Sequence, residues 1–571
     1  MPDVAALARA FDYVVPAALD ARVGVGTIVR VPLHGRRVAG WVVGRANQPE
    51  TDRRLQAIAR VTGHGPDAAL IDLAHWAAWR WAGSPVAFLR AASPEKAVVG
   101  LPPRSGHVSG RPGDHFRDQN EIFGSASSPV TVRLPPAADP VPYVLAAAAR
   151  GDALVLAPTR ARAAYLSAQL RRSGCATALL PGEWARAAAG GCVAIGARGA
   201  AWAPRPKLDA VVVLDEHDEG YQNERAPTWN ARDVAVERAR RAGVPCVLLS
   251  SCPSLESLAG SQLLTLSRDE ERAGWPVVEV VDRRREPPGL GLYSERLVAL
   301  VRQAGPGQRV VCVLNRKGRV RLVACAECSE LARCESCAAA VEMADQELHC
   351  RRCGVTRPVI CLACGATRLK AVRVGVTRVR EELELLAGQP VGELTGDAAP
   401  GSPPDVNVIV GTSATLHRLA RARVVAFLDL DQELLAPRYR AAEEAMALVA
   451  QAARLVGGRD GGGRVLLQTR LPDHEVIDSA VHADPSRLAV VEAARRAALG
   501  FPPERALALV SGDDAEALID VLRTVAGIDV SGPSAGRWLV RAPDHTVLCD
   551  ALAAHRPLQG GPRVAVDPLR I

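Results

Sequence analysis

Lysine is nearly missing from this chain. Only four occur in 571 residues (Lys96, Lys207, Lys317 and Lys370), so all but four of the 70 basic residues are arginine. None of the four stands in a Gly-Lys-Ser/Thr setting, which excludes the usual phosphate-cradling loop G-x-x-x-x-G-K-[ST]. Methionine (3 residues) and aromatics (4%) are scarce as well. Against so much Ala, Gly and Val, the arginine excess reads as coding bias rather than as selection for guanidinium chemistry. No run of 18 apolar residues occurs, so no membrane-spanning helix and no membrane partner are expected. The opening MPDVAALARAFDY lacks the basic start and long apolar core of a secretory leader, which places the chain in the cytoplasm as an expectation. Thiols stay reduced there, so the 14 cysteines are candidates for metal binding rather than disulfides.

What is present is ordinary globular material: 48% hydrophobic, 23% charged, net charge +8. The length allows three to five domains. A basic balance permits a polyanionic partner without proving one. Residues 10–44 alternate short β-rich runs with Gly and Pro breaks, as a small barrel or sandwich does. Residues 62–100 read as helical, with Trp76, Trp79 and Trp81 as a core stripe, and the Gly/Ser/Pro-rich 101–130 reads as a linker. From 131 onward, buried apolar runs at 153–158, 192–197, 210–215 and 246–251 alternate with helical stretches. A second set follows at 309–315, 406–412, 423–431 and 464–469. This is the βα rhythm of two parallel sheets covered on both faces. The last stretch, from about 485, reads as an α+β domain.

Four Cys-x-x-Cys pairs interrupt the second set: Cys325/Cys328, Cys334/Cys337, Cys350/Cys353 and Cys361/Cys364, separated by 5, 12 and 7 residues. A structural Zn²⁺ takes four thiolates tetrahedrally, so eight thiolates make two closed zinc sites, in either sequential or nested pairing. A filled Cys₄ site has no open position, which excludes hydrolytic zinc chemistry there. Residues 309–380 carry 14 Arg+Lys against 6 Asp+Glu, so the module stays positive even with two dianionic sites counted. The other six cysteines, at 175, 192, 246, 252, 312 and 549, lie in or near apolar runs and read as core. Residues 211–222, VVVLDEHDEGYQ, run a buried strand into a burst of carboxylates, as nucleotide-driven motors do where they hold magnesium.

These residues together resemble one family, the primosomal protein N′ (PriA) replication restart proteins. The resemblance rests on the cysteine pairs inserted in the second lobe and on FDYVVP (11–16), DEHDEGYQ (215–222), APTWNARDVAVERA (226–239) and CPSLES (252–257). It continues through VLNRKGR (313–319), LQTRLPDH (467–474), LGFPPE (499–504) and VAVDPL (564–569). It implies a multidomain α/β chain: a 3′-end DNA-binding β domain (1–60), a winged-helix remnant (61–100), a linker (101–130), two RecA-like lobes (131–290 and 291–484, zinc module at 324–370) and a C-terminal α+β domain (485–571). It also implies nested zinc pairing, with Cys325, Cys328, Cys361 and Cys364 on one ion and Cys334, Cys337, Cys350 and Cys353 on the other.

The same resemblance marks losses. Where the family carries Gly-Ser-Gly-Lys-Thr, residues 134–158 offer no glycine before Gly151, no lysine and several prolines. Its Asp-Glu-Glu-His reads Leu214-Asp215-Glu216-His217, so the first carboxylate is a leucine. Its Gly-Ser-Ala-Thr segment reads LSSC (249–252). Its γ-phosphate arginines fall at Leu455 and Gly458, with Arg454 one position off. Asp215, Glu216 and His217 are therefore read as a vestigial nucleotide site, with ATP left no phosphate cradle and no catalytic residue assigned. Phe11, Asp12 and Tyr13 match the family's pocket for a 3′ terminus, where an aromatic stacks on a base and a carboxylate accepts from it; Tyr13 reads equally well as a strand residue packing the barrel. The expected function is binding of forked or single-stranded DNA and support of primosome assembly and helicase reloading. The expected partners are single-stranded DNA-binding protein and helicase-loading proteins, and no unwinding is expected. The alternative is an ATP-dependent 3′→5′ helicase.

Overall fold

Short strands of continuous apolar residues, too hydrophobic to face water on either side, build two parallel sheets. The structure, a computed structural model, describes the chain apart from residues 5–6, 8, 49–53, 107–121, 125–127, 287–290, 315–322, 329, 345–346, 351–352, 372–375, 395–403 and 556–560. Across the first sheet the order is Gln262–Thr265, Val130–Arg133, Cys246–Ser250, Ala210–Leu214, Ala153–Leu156, Val193–Gly196 and Thr177–Leu179, every neighbour parallel. Alternate residues of one strand serve opposite cores. Ala153 and Val155 pack with Val144 and Leu166, whereas Leu154 and Leu156 pack on the side of Trp202 and Val234. That is why these runs read as unbroken apolar stretches.

The second sheet runs Val277–Asp282, Arg464–Thr469, Val424–Phe427, Val310–Val313, Val408–Gly411, Val391–Leu394, again all parallel. The strand Val277–Asp282 joins this sheet although it precedes residue 291. The long helix Ala441–Val456 lies against it and carries Arg454 in its last turn. Between Val310–Val313 and the helix Val376–Ala387 the chain leaves to form the cysteine module. There Val323–Cys325 pairs with Leu369–Ala371, and a separate three-stranded sheet forms from Val341–Ala344, Glu347–Cys350 and Thr356–Pro358. Residues 315–319 of the VLNRKGR stretch lie outside the described residues.

The N-terminal sheet has Thr27–Leu33 at its centre, flanked by Arg36–Trp41 and Arg60–His64, over a small core of Val23, Val29, Val31 and Ile58. Two helices follow, Ala68–Arg80 and Pro85–Ala92. The first is begun by Asp67, whose carboxylate accepts from the Leu70 amide at 2.9 Å. Of the expected tryptophan stripe, Trp81 is buried in the core and Trp76 packs edge-on against it. Trp79 instead turns outward to donate to Asp550 at 2.8 Å, because its face of the helix meets the C-terminal domain. The expected linker is also partly packed: Ile122 and Phe123 are buried against the first lobe, while 107–121 and 125–127 lie outside the described residues. An antiparallel sheet closes the chain, in the order Asp529–Ser534, Arg537–Ala542, Ala506–Ser511, Arg563–Val566. Its core is continuous with the first lobe and with helix Ala68–Arg80. No helix among the described residues is long and apolar enough to cross a membrane.

Candidate functional site: an inter-lobe cleft and two cysteine clusters

The strand Val130–Arg133 leads through residues 134–140 into the helix Val141–Ala149, which is the strand–loop–helix course on which a phosphate cradle is built. A cradle needs free amides pointing at the ligand. Here Pro135, Pro136 and Pro140 have no N–H. Leu134 donates to Ser250 O (2.8 Å), Ala137 to Gly274 O (3.2 Å), Ala138 to Pro135 O (3.0 Å) and Val141 to the Asp139 carboxylate (3.0 Å). The helix N-terminus, where a phosphate would sit, is thus already served by an acidic side chain, which would repel an anion. The void left among Leu134, Pro135, Ala138, Pro140, Arg162 and Arg454 is about 20 Å³, room for about one water.

The opposite wall is built by the end of strand Ala210–Leu214. Asp215 sits in the left-handed region (φ 49°), and its carboxylate receives both terminal nitrogens of Arg454, one at 2.7 Å. Arg454 also donates through Nε to Pro136 O at 3.3 Å, so one side chain from the second lobe touches both halves of the would-be phosphate site. Burial alone would raise the Asp215 carboxyl, but the charge and hydrogen bonds of Arg454 override it and hold it at about 2. Glu216 is buried and fully used: it accepts from Ser254 N (2.8 Å), Ser254 Oγ (2.8 Å), Ser257 Oγ (2.6 Å) and Arg232 Nη1 (3.1 Å). His217 meets Ser250 Oγ through Nδ1 at 2.6 Å. All three residues of the expected vestigial site therefore stand together, each engaged by protein groups.

The arginine positions of the motor pattern are closed sterically. Leu455 is packed in the second-lobe core, and a Cβ on Gly458 would fall 2.5 Å from Ala273 O. Arg454, one position away, is the residue that reaches the cleft; its register in the sequence marks it as displaced, and nothing local in the sequence reveals its partner. Outside the collapsed phosphate end, the cleft between the lobes and the C-terminal domain remains open, about 1160 Å³ in volume.

In the cysteine module, Cys325, Cys328, Cys361 and Cys364 bring their sulfurs within 4.8 Å of one another, and so do Cys334, Cys337, Cys350 and Cys353. The closest sulfur pairs stand 3.6 Å apart in the first cluster and 3.3 Å in the second. A tetrahedral Zn²⁺ with bonds of about 2.3 Å spaces its sulfurs by about 3.8 Å, so each cluster needs only slight expansion to take one ion. The knuckles follow from backbone turns: Ala338 N donates to Cys334 O, Gly354 N to Cys350 O and Gly365 N to Cys361 O, with positive φ at all three turn residues. The pairing is the nested one. Cysteines 175, 192, 246, 252, 312 and 549 are all buried.

In the N-terminal sheet, Phe11 is half-buried with the Arg9 guanidinium 4.7 Å above its ring, and Asp12 is exposed. Tyr13 turns inward, packing on the Val23/Val29/Val31/Ile58 core and donating its hydroxyl to Pro32 O at 3.0 Å.

Two parallel-sheet lobes facing across a cleft, with paired tetracysteine clusters inserted in the second, define a multidomain α/β protein. Residues 2–94 match the model of the PriA 3′ DNA-binding domain. A replication restart protein PriA of Bacillus subtilis is 28% identical, over 60% of this chain and 47% of that protein. A probable replication restart protein PriA of Mycobacterium leprae is 29% identical, over 96% of this chain and 92% of that one. The chain thus spans about half the length of the first relative and nearly all of the second. A solved structure of yeast Dbp5 bound to RNA and ADP BeF3 overlaps more loosely, with 13% identity and a TM-score of 0.36 over 65% of this chain and 89% of that one. The chain is thus similar to PriA replication restart proteins along nearly its whole length.

Proposed function

We propose that this chain is a replication restart protein that binds forked or single-stranded DNA and supports reassembly of the replication machinery without turning over ATP. The observation that carries the second half is the Asp215–Arg454 contact, made beside a loop whose Leu134, Ala137 and Ala138 amides are bonded to protein carbonyls. Phosphoryl transfer is almost entirely positioning and charge stabilisation of the phosphates. A cleft without a lysine or glycine-rich cradle, whose Arg454 is already engaged by Asp215, is poorly built to supply either.

The DNA-binding half is supported by the matched 3′ DNA-binding model over residues 2–94. In this reading Phe11 and Asp12 meet the terminal base, while Tyr13 supports them from below. The two clusters hold Zn²⁺, and the positive module faces DNA or replication partners such as single-stranded DNA-binding protein and helicase-loading proteins. A forked-DNA gel shift beside an ATPase assay on one preparation tests the whole reading. Fork binding should weaken with salt, with a log–log slope of roughly 0.7–0.9 per phosphate neutralised. ATP turnover above ~1 s⁻¹, in the ordinary enzyme range, would overturn this reading.

A further inference from the structure

Asp215 and Arg454 lie 239 residues apart in sequence, one in each lobe. Their contact is not alone. Glu256, in the first-lobe helix Leu255–Gly260, is gripped by Arg440 (Nη1 to Oε2, 3.0 Å; Nη2 to Oε1, 2.5 Å) and by Arg496 (Nη1 to Oε1, 3.1 Å). The Leu255 amide donates across to Glu443 at 3.1 Å, and Arg496, which is almost wholly buried, also binds Glu443 and Glu492. The lobes are therefore joined by charged contacts at the collapsed phosphate end and beside the open cleft, and Arg268 adds a further joint by donating to Ala483 O (3.0 Å) and His482 O (2.9 Å). The charge pairs at the phosphate end and beside the cleft are partly or wholly buried, and salt screens such pairs less than exposed ones.

A two-lobed motor moves because nucleotide binds one arrangement of the lobes better than another. A ligand with equal affinity for both arrangements shifts nothing. Here the positive charge that a metal and a closing arginine would bring to Asp215 is supplied permanently by Arg454, and in the loop 134–140 three prolines lack an N–H while the amides of Leu134, Ala137 and Ala138 are spent on protein carbonyls. We infer that these ion pairs lock the two lobes in one relative orientation, independent of Mg²⁺ and nucleotide, so that the former motor serves as a rigid frame between the N-terminal sheet and the C-terminal domain. The inference deepens the non-motor reading and rests on it.

Hydrogen–deuterium exchange of the full chain tests the lock, with Mg²⁺ and AMP-PNP as the probe. Amides of 134–138 and 451–456 should exchange identically with and without the probe. Asp215→Asn and Glu256→Gln, combined, should speed exchange of those amides by ~10-fold or more, a local opening that leaves the strands of each lobe protected. Faster or slower cleft exchange on adding AMP-PNP to the unmodified chain would overturn the lock and needs no variant. So would a folded double variant whose cleft exchanges like the parent. A calorimetric titration separates the two readings. AMP-PNP heat with unchanged exchange would keep the lock and refute the empty cradle; no heat, with a double variant indistinguishable from the parent, would do the reverse.

Discussion

Arg80, at the end of helix Ala68–Arg80, and Asp567, just past the last strand, stand 2.6 Å apart and tie the N-terminal part of the chain to its C-terminal domain. The same carboxylate meets His545 Nε2 at 2.8 Å. Burial would raise Asp567, but His545 and Arg80 win and hold it far below the ordinary carboxylate range. A depressed folded value stabilises above the unfolded pKa of about 3.9 and is lost as pH falls below it. The parent should therefore lose stability steadily below about pH 4, and Asp567→Asn should show a shallower acid slope. Asp567→Ala, which strands the buried Arg80, should cost about 3–5 kcal/mol in urea unfolding. Equal acid slopes in parent and Asp567→Asn would show that the pair does not govern this joint.

Glu216 offers a second check, because motor and scaffold predict opposite behaviour. As a magnesium-site carboxylate its amide variant would keep the fold and abolish turnover. In this structure it is the acceptor for Ser254, Ser257 and Arg232. Hydrogen bonds to a charged group contribute roughly 1.5–3 kcal/mol, so Glu216→Gln should lower stability by about that amount. Fork affinity, measured under conditions where the variant is folded, should stay within about twofold of the parent, well under the 1.4 kcal/mol that separates tenfold changes. A variant as stable as its parent would mean that these bonds are not what Glu216 is for.

Metal content can test the nested pairing without any structure. The protein should carry two Zn²⁺ per chain, released together by a strong chelator with loss of the module's fold. A double change at Cys328 and Cys361 removes two ligands from one cluster, and should cost one ion. A double change at Cys328 and Cys334 touches both clusters, and should cost both. Sequential pairing makes the opposite prediction, since Cys328 and Cys334 would then share an ion. Elemental analysis of the two purified variants decides.

That pairing shows where sequence patterns stop. The eight ligands were legible from spacing, since knuckles are local. Which pairs combine depends on Val323–Cys325 meeting Leu369–Ala371 across the module, and on Val341–Ala344 folding back onto Glu347–Cys350, neither of which the spacing encodes. The interior strands of both lobes announced themselves because a doubly covered parallel strand is continuously apolar. Gln262–Thr265, largely exposed, and Thr177–Leu179, only three residues long, carry no such mark. The missing lysine and glycines could be read directly as absences. The guanidinium that fills their place could not, because Arg454 finds Asp215 only through the packing of two lobes.

The N-terminal sheet separates two adjacent aromatics by role. Phe11 is half-buried with one face under Arg9, while Tyr13 spends its hydroxyl on Pro32 O and its ring on the small core. Stacking of a base on an aromatic contributes roughly 1–3 kcal/mol, so Phe11→Ala should weaken binding to a DNA end by about 5- to 150-fold, and only when the 3′ terminus is free. Blocking that terminus should bring parent and variant to the same affinity. Tyr13→Phe removes one neutral hydrogen bond and should cost about 1 kcal/mol of stability with no change in end preference. If Tyr13→Phe instead abolished discrimination of the free terminus while Phe11→Ala left it intact, the roles assigned to the two rings would be reversed.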